Sequence, residues 1–119
     1  MKLFRFDADI GQPIELYDSK GLTITRIIEP TDCHVSTVCM HIEPKGVVGF
    51  HQAVYRQLFM VVNGEGWVTG DDQERHPIKA GQAALWEAEE WHESGSDSGM
   101  MVFVVEGDEI RPEDFLAPV

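Results

Sequence analysis

Two β-rich segments of this chain carry histidines at fixed distances from glycines, and this pairing constrains the fold more than any other feature. The first segment, residues 49–64, contains His51 and Gln57, and six residues separate Gln57 from the glycine that ends the segment. The second segment, residues 81–92, begins with glycine and ends eleven positions later at His92. Both are rich in aromatic, β-branched and other apolar residues bounded by turn residues, which predicts β-strands rather than helices.

These segments resemble the two signature motifs of the cupin superfamily. The first motif of that family runs from His-x-His to a glutamate and, after six more residues, to a glycine; His51, Gln57 and Gly64 stand at three of those positions. In the second motif a glycine precedes a histidine by eleven positions, as Gly81 precedes His92. The resemblance implies an all-β, antiparallel double-stranded β-helix, the cupin or jelly-roll barrel, closed around a pocket.

The chain departs from the first motif at two positions that matter for chemistry. Ala53 stands where the family has its second histidine, and Gln57 stands where it has glutamate. Alanine cannot bind a metal, and glutamine offers only a neutral amide. The resemblance therefore implies a three-ligand set of His51, Gln57 and His92 for a divalent transition metal such as Fe, Mn, Ni or Zn. This set should hold the ion more loosely than one that includes a carboxylate.

Two functions remain open for these residues. The first is a small cupin that binds a small molecule in the barrel through His51, Gln57 and His92, with or without a metal. The second is a mononuclear metal-dependent cupin enzyme of the dioxygenase or isomerase type that uses the same three ligands. A purely structural domain would instead fill its barrel with side chains. Because one fold hosts many functions, the sequence leaves open whether the chain is an enzyme.

Aromatic side chains are the predicted walls of the pocket. If Gln57 points inward, the period of two along a strand also points Phe59 and Val61 inward. An apolar wall with a few polar groups suits a small organic ligand, so we predict Phe59, Trp86 and Tyr55 as ligand-binding residues beside the three polar ones. Core packing is the alternative explanation for the large aromatic residues.

The opposite face of the same strand bears on oligomeric state. Leu58, Met60 and Val62 alternate with the inward residues and make that face too apolar for open water. We expect it either to be covered by the N-terminal strands or to pair two subunits, and we predict a homodimer.

Acidic residues are abundant, but few of them are candidates for the missing carboxylate. The clusters at 71–74 and 106–109 are interpreted as a solvated turn and as the solvated exit from the last strand. Only Glu93, next to His92, is close enough in sequence to replace the glutamate, and strand alternation argues against it. His76 lies in a predicted surface hairpin and is a weaker candidate ligand.

The length and charge of the chain limit its architecture and its partners. We predict a single cupin domain over residues 1–119, with signature segments at about 46–64 and 81–96. Nine Lys and Arg against 21 Asp and Glu give a net charge of −12, which disfavours nucleic acid and anionic membranes as partners. No apolar run reaches about 18 residues, and the N-terminus is acidic where a signal peptide would be apolar, so we expect a cytoplasmic protein.

Strand patterns continue outside the two motifs. Asn63-Gly64 predicts a tight hairpin turn, because this dipeptide favours positive φ. Pro77 suits an edge strand, and residues 111–116 predict one helical turn. Cys33 and Cys39 would lie about 20 Å apart along one strand, so we expect them to be reduced, unbridged and partly buried. The predicted strands are 22–28, 35–42, 57–62, 66–69, 83–86 and 100–105, with a short segment at 75–78.

Overall fold

The computed structural model describes all residues from 1 to 119 and consists of antiparallel β-strands with three short 3-10 turns. The turns are Ala8–Ile10, Leu16–Asp18 and Pro112–Asp114, the last of which confirms the helical turn predicted near the C-terminus. The strands are β1 (Lys2–Arg5), β2 (Gln12–Ile14), β3 (Leu22–Ile24), β4 (Val35–Ile42), β5 (Gly46–Gln52), β6 (Arg56–Thr69), β7 (His76–Lys79), β8 (Gln82–Trp86), β9 (Trp91–Ser96), β10 (Met100–Gly107) and β11 (Ala117–Pro118).

Two sheets share the long strand β6. The first has the order β11-β1-β8-β6-β10-β4, and in the second β5 pairs with β9, β9 with β6, and β6 with β7. All of these pairs are antiparallel, which confirms the predicted all-β jelly roll. The implied closed barrel is wrong, because no ladder joins β4 to β5 or β7 to β8. The sheets instead face each other as a sandwich connected through β6.

The hairpin predicted at Asn63-Gly64 is also wrong. Strand β6 runs through this dipeptide, and its first half pairs with β8 and β10 while residues 65–69 pair with β7 and β9. Gly64 does adopt a positive φ of 85°. A Cβ at this position would collide with the carbonyl oxygen of Gly99, so the strand can make this bend only with glycine. The dipeptide therefore marks the point where the strand passes from one sheet to the other.

The core has two parts, one on each face of the first sheet. The inner cluster fills the middle of the sandwich with Ile42, Phe59, Val61, Val68, Ile78, Ala84, Trp86, Met100, Val102 and Val104. The outer cluster consists of Phe4, Leu58, Ala83, Leu85, Ile110 and Leu116. The inward direction predicted for Phe59 and Val61 is thus confirmed, and Leu58 faces the other way. Because the middle is filled with side chains, the binding hypotheses require a site towards an end of the sandwich.

The outer face of β6 is largely covered by the chain itself, with Leu58 fully buried and Met60 and Val62 half-buried. Leu58 is 0% exposed and packs in the cluster that includes Phe4 of β1 and Leu116 of the C-terminal segment. Burial within one chain means that these residues need no second subunit. The homodimer stays a prediction, without the support that this face was expected to give.

An edge proline and two free cysteines are further local features of the fold. Pro77 lies in β7, which pairs only with β6 and is therefore an edge strand, as predicted. Cys33 and Cys39 are both free, although Cys39 is exposed rather than partly buried. None of the helical segments is long and apolar enough to span a bilayer.

Candidate functional site

The two motif histidines meet at one end of the second sheet. His51 near the end of β5 and His92 near the start of β9 are direct cross-strand partners, and their ring centroids lie 4.3 Å apart. His92 is only 2% exposed, whereas His51 is open to solvent. The predicted convergence of these two residues is what the structure shows, and we refer to them below as the histidine pair.

Backbone carbonyls determine the tautomer of both rings. The Nδ1 of His51 lies 2.6 Å from the carbonyl oxygen of Gly49, and the Nδ1 of His92 lies 3.2 Å from that of Glu90. A carbonyl oxygen can only accept, so each Nδ1 carries a proton, and in the neutral form of each ring Nε2 then presents a lone pair. The Nε2 of His92 is buried and has no hydrogen-bond partner.

The surroundings of His92 favour its neutral imidazole. Burial lowers the pKa of His92 below its usual value, and the nearby His51 lowers it further, while the hydrogen bond to the Glu90 carbonyl partly opposes this effect. Neutral imidazoles with a free Nε2 and a hydrogen-bonded Nδ1 are the form in which histidine binds metals. Two such imidazoles side by side, His51 and His92, are donors that suit a divalent transition metal.

Trp86 forms the wall beside His92. Its indole stacks on the imidazole with ring centroids 4.2 Å apart. Phe59 and the indole pack in a T-shaped arrangement with ring centroids 5.5 Å apart. The indole Nε1 donates a 2.9 Å hydrogen bond to the carbonyl oxygen of Thr69 on β6. Trp86 is 0% exposed, so these contacts fix its ring against the histidine pair.

Gln57 is a cross-strand neighbour of Trp86 in the first sheet, and its hydrogen-bond partner is an acidic residue. It pairs with Trp86 on one side and with Glu106 on the other. Its Nε2 donates a 3.0 Å hydrogen bond to Oε1 of Glu106. Gln57 is 7% exposed and Glu106 is half-buried. We refer to these two residues as the amide–carboxylate pair.

The sequence interpretation of Glu106 as a solvated exit from the last strand is wrong. Glu106 is part of β10, and alternation along that strand places it on the same face as the buried Val102 and Val104. That parity was present in the sequence and could have identified it as an inward residue. Because Gly107 follows directly, the sequence around Glu106 resembled the start of a turn.

Tyr55 and Ala53 occupy the connection between β5 and β6. Tyr55 is 41% exposed and makes no hydrogen bond or ring contact with the histidine pair. Ala53 is 4% exposed, and its backbone bonds to Glu89 and Glu90 of the loop before β9. The ladder that continues from Ala53 to this loop holds the ends of β5 and β9 together beneath the histidine pair.

Other features of the surface lie apart from the histidine pair. Cavities of about 510 Å³ and 560 Å³ open elsewhere, and neither is lined by His51 or His92. Asp72, Glu74 and His76, which sit in or beside the turn between β6 and β7, bring potential ligand atoms within 4.8 Å of one another. Asp72 and Glu74 are exposed, so this group is a second candidate for metal binding, at the surface.

The chain belongs to the cupin family. A family model described as a cupin domain matches residues 38–106, which is more than half of the chain. The matched range includes the histidine pair and the amide–carboxylate pair. No curated protein matches the chain.

Several solved structures share the fold. An RmlC-like cupin from Shewanella frigidimarina is 17% identical with a TM-score of 0.59, over 63% of this chain and 67% of that one. A predicted oxalate decarboxylase from Thermotoga maritima is 21% identical with a TM-score of 0.56, over 61% and 65%. A mutant salicylate 1,2-dioxygenase from Pseudoaminobacter salicylatoxidans is 14% identical with a TM-score of 0.58, over 62% and 21%. At these identities the likeness shows the fold alone.

Proposed function

We propose that this cupin binds a small organic molecule at the end of its sandwich, at a site organised around a divalent transition metal held by His51 and His92. The observation that carries the proposal is the buried Nε2 of His92, which has no partner while Nδ1 is committed to a carbonyl. A buried polar atom without a partner costs about 1–3 kcal/mol, and a metal ion would remove that cost. The bound ion would supply a Lewis acid with open positions for an oxygen-bearing ligand.

The remaining predicted residues have distinct parts in this proposal. The amide oxygen of Gln57 is the third polar contact, to the metal or to the organic ligand. In this proposal Trp86 holds His92 in place and Phe59 packs against Trp86, and their ring contacts support both parts. Tyr55, which is 41% exposed on the connection before β6, is proposed as a further contact to the organic ligand.

Metal analysis of the untagged full-length chain tests this proposal. Equilibrium dialysis against Fe²⁺, Mn²⁺, Ni²⁺ or Zn²⁺ should load about one ion that is lost in both His51→Ala and His92→Ala. His76→Ala is the matched control, because it alters the surface group Asp72, Glu74 and His76 and leaves the histidine pair intact. Metal that survives both histidine-pair variants but disappears in His76→Ala would assign binding to the surface group and overturn the proposal.

A mononuclear metal-dependent enzyme of the dioxygenase or isomerase type is the second candidate. It is supported by the enzyme names of two structural neighbours and by the small number of protein ligands, which leaves positions open for a substrate. Turnover of a bound small molecule that requires the metal and is abolished in His92→Ala would favour this candidate over simple binding.

The proposed setting is the cytoplasm. Two unpaired cysteines suit a reducing compartment, where disulfides do not persist. A homodimer remains part of the proposal, and light scattering of the purified chain would measure it.

A further inference from the structure

We infer that Glu106 is the positioning residue of the site: it turns the Gln57 amide so that its oxygen is the atom offered to a bound cation, and it supplies the site's negative charge. This inference rests on the proposed metal site. It deepens that proposal because neither the family motif nor the sequence pattern assigns a part to Glu106.

The orientation of the amide follows from the chemistry of its partner. An ionised carboxylate can only accept hydrogen bonds, so the group of Gln57 that lies 3.0 Å from Glu106 Oε1 must be the amide nitrogen. The carboxylate repels the partly negative amide oxygen, which favours the orientation in which that oxygen is turned away from Glu106. Along the sheet, Gln57 has Glu106 on β10 as one neighbour and Trp86 on β8 as the other. The side opposite Glu106 is thus the side on which Trp86 stacks against His92.

The charge of Glu106 is not compensated within the chain. Glu106 is half-buried, and its one side-chain partner is the neutral amide of Gln57. The ion pairs of the chain involve other acidic residues, namely Asp7, Asp9, Glu87, Glu90, Glu113 and Asp114. A carboxylate without a cationic partner in the chain would attract a cation bound nearby.

The orientation of the Gln57 amide and the charge of Glu106 both act on the amide oxygen of Gln57. A charge-assisted hydrogen bond from the amide N–H to a carboxylate shifts electron density towards the amide oxygen and makes it a stronger ligand. Gln57 and Glu106 together thereby do part of what a single glutamate at position 57 would do. A purely structural bond would only satisfy a buried amide and would leave metal affinity unchanged.

Four variants of the chain distinguish a part of Glu106 in metal binding from a purely structural hydrogen bond. Glu106→Gln removes the charge and lets the amide turn either way. Gln57→Glu/Glu106→Gln exchanges the two side chains, which keeps the hydrogen bond with its polarity reversed and moves the carboxylate to β6. Glu109→Gln is the matched control, because Glu109 is exposed and belongs to no ion pair. His92→Ala reports whether the binding measured is at the histidine pair.

Calorimetric titration with Ni²⁺ or Co²⁺, together with the unfolding temperature, gives the readout. Glu106→Gln should weaken metal binding about 10–100-fold, the range typical of outer partners of metal ligands, while Glu109→Gln stays within twofold of wild type. The exchanged double variant should recover wild-type affinity or exceed it. Wild-type affinity in Glu106→Gln, or no recovery in the double variant, would overturn the inference while binding lost in His92→Ala still upheld the metal site. No binding by the wild type would overturn both.

Discussion

At the residue scale, Trp86 is the side chain that connects the histidine pair to the interior of the sandwich. Trp86→Phe keeps a ring against His92 but removes the hydrogen bond to the Thr69 carbonyl, which is then buried without this donor. We expect it to lower the free energy of unfolding by about 1–3 kcal/mol, measured by urea denaturation. Trp91→Phe is the control, because Trp91 is 43% exposed, and it should stay within about 0.5 kcal/mol of wild type. Equal losses in both variants would contradict this account.

The residues of the site differ in how visible they were in the sequence. His51 and His92 could be predicted from motif spacing, because the spacing reflects a cross-strand register that the structure shows. For Trp86 the sequence predicted only that it forms an aromatic wall. Its stacking on His92 was not predictable, because His92 lies on a strand of the other sheet. Strand parity could have marked Glu106 as an inward residue, but its hydrogen bond with Gln57, 49 positions away in sequence, has no local signal.

At the element scale, the bend in β6 joins the two sheets, and its requirement for glycine can be tested. Gly64→Ala must accept both a positive φ of 85° and a collision with the Gly99 carbonyl. Gly21→Ala is the matched control, because Gly21 also has a positive φ, 67°, but has nothing within 4 Å of an added Cβ. Backbone strain alone should cost Gly21→Ala about 1–2 kcal/mol, and Gly64→Ala should lose about 3 kcal/mol or more in the same urea measurement. A Gly64→Ala variant no less stable than Gly21→Ala would show that the strand can bend without close contact.

The same bend explains why the strand order was harder to predict than the strands. Asn63-Gly64 encodes a positive φ locally, and that part of the prediction was correct. Whether the chain then reverses or continues depends on which strands lie beside it, and the partners of residues 65–69 are β7 and β9, which follow later in the sequence. The open edges of the sandwich were missed for a related reason, since motif spacing fixes neighbours within a sheet but not closure between sheets.

At the scale of the whole molecule, Arg56 holds together three distant parts of the chain. From the start of β6 it donates hydrogen bonds to Glu87 in the loop after β8 and to both the Ile110 carbonyl and Glu113 near the C-terminus. These contacts fasten the C-terminal segment, whose Ile110 and Leu116 cover the outer cluster. The guanidinium stays charged at all relevant pH values, because its pKa is raised further by Glu113 and Glu87. Only the carboxylates can therefore release this connection as the pH falls.

The pH dependence of stability should report this connection. The hydrogen bond from Arg56 is the main cause that lowers the pKa of Glu87 below its usual 4.5. A carboxyl group with a depressed pKa in the folded state adds stability above the pKa of the unfolded chain, and this contribution is lost as the pH falls through the folded pKa. Wild type should therefore be more stable than Glu87→Gln at pH 7, and the difference should shrink progressively below about pH 4.5. Urea denaturation of both proteins between pH 7 and pH 3 measures this, with Glu109→Gln as the exposed control. A difference that stays constant over this range would mean that Glu87 acts through packing rather than through its charge.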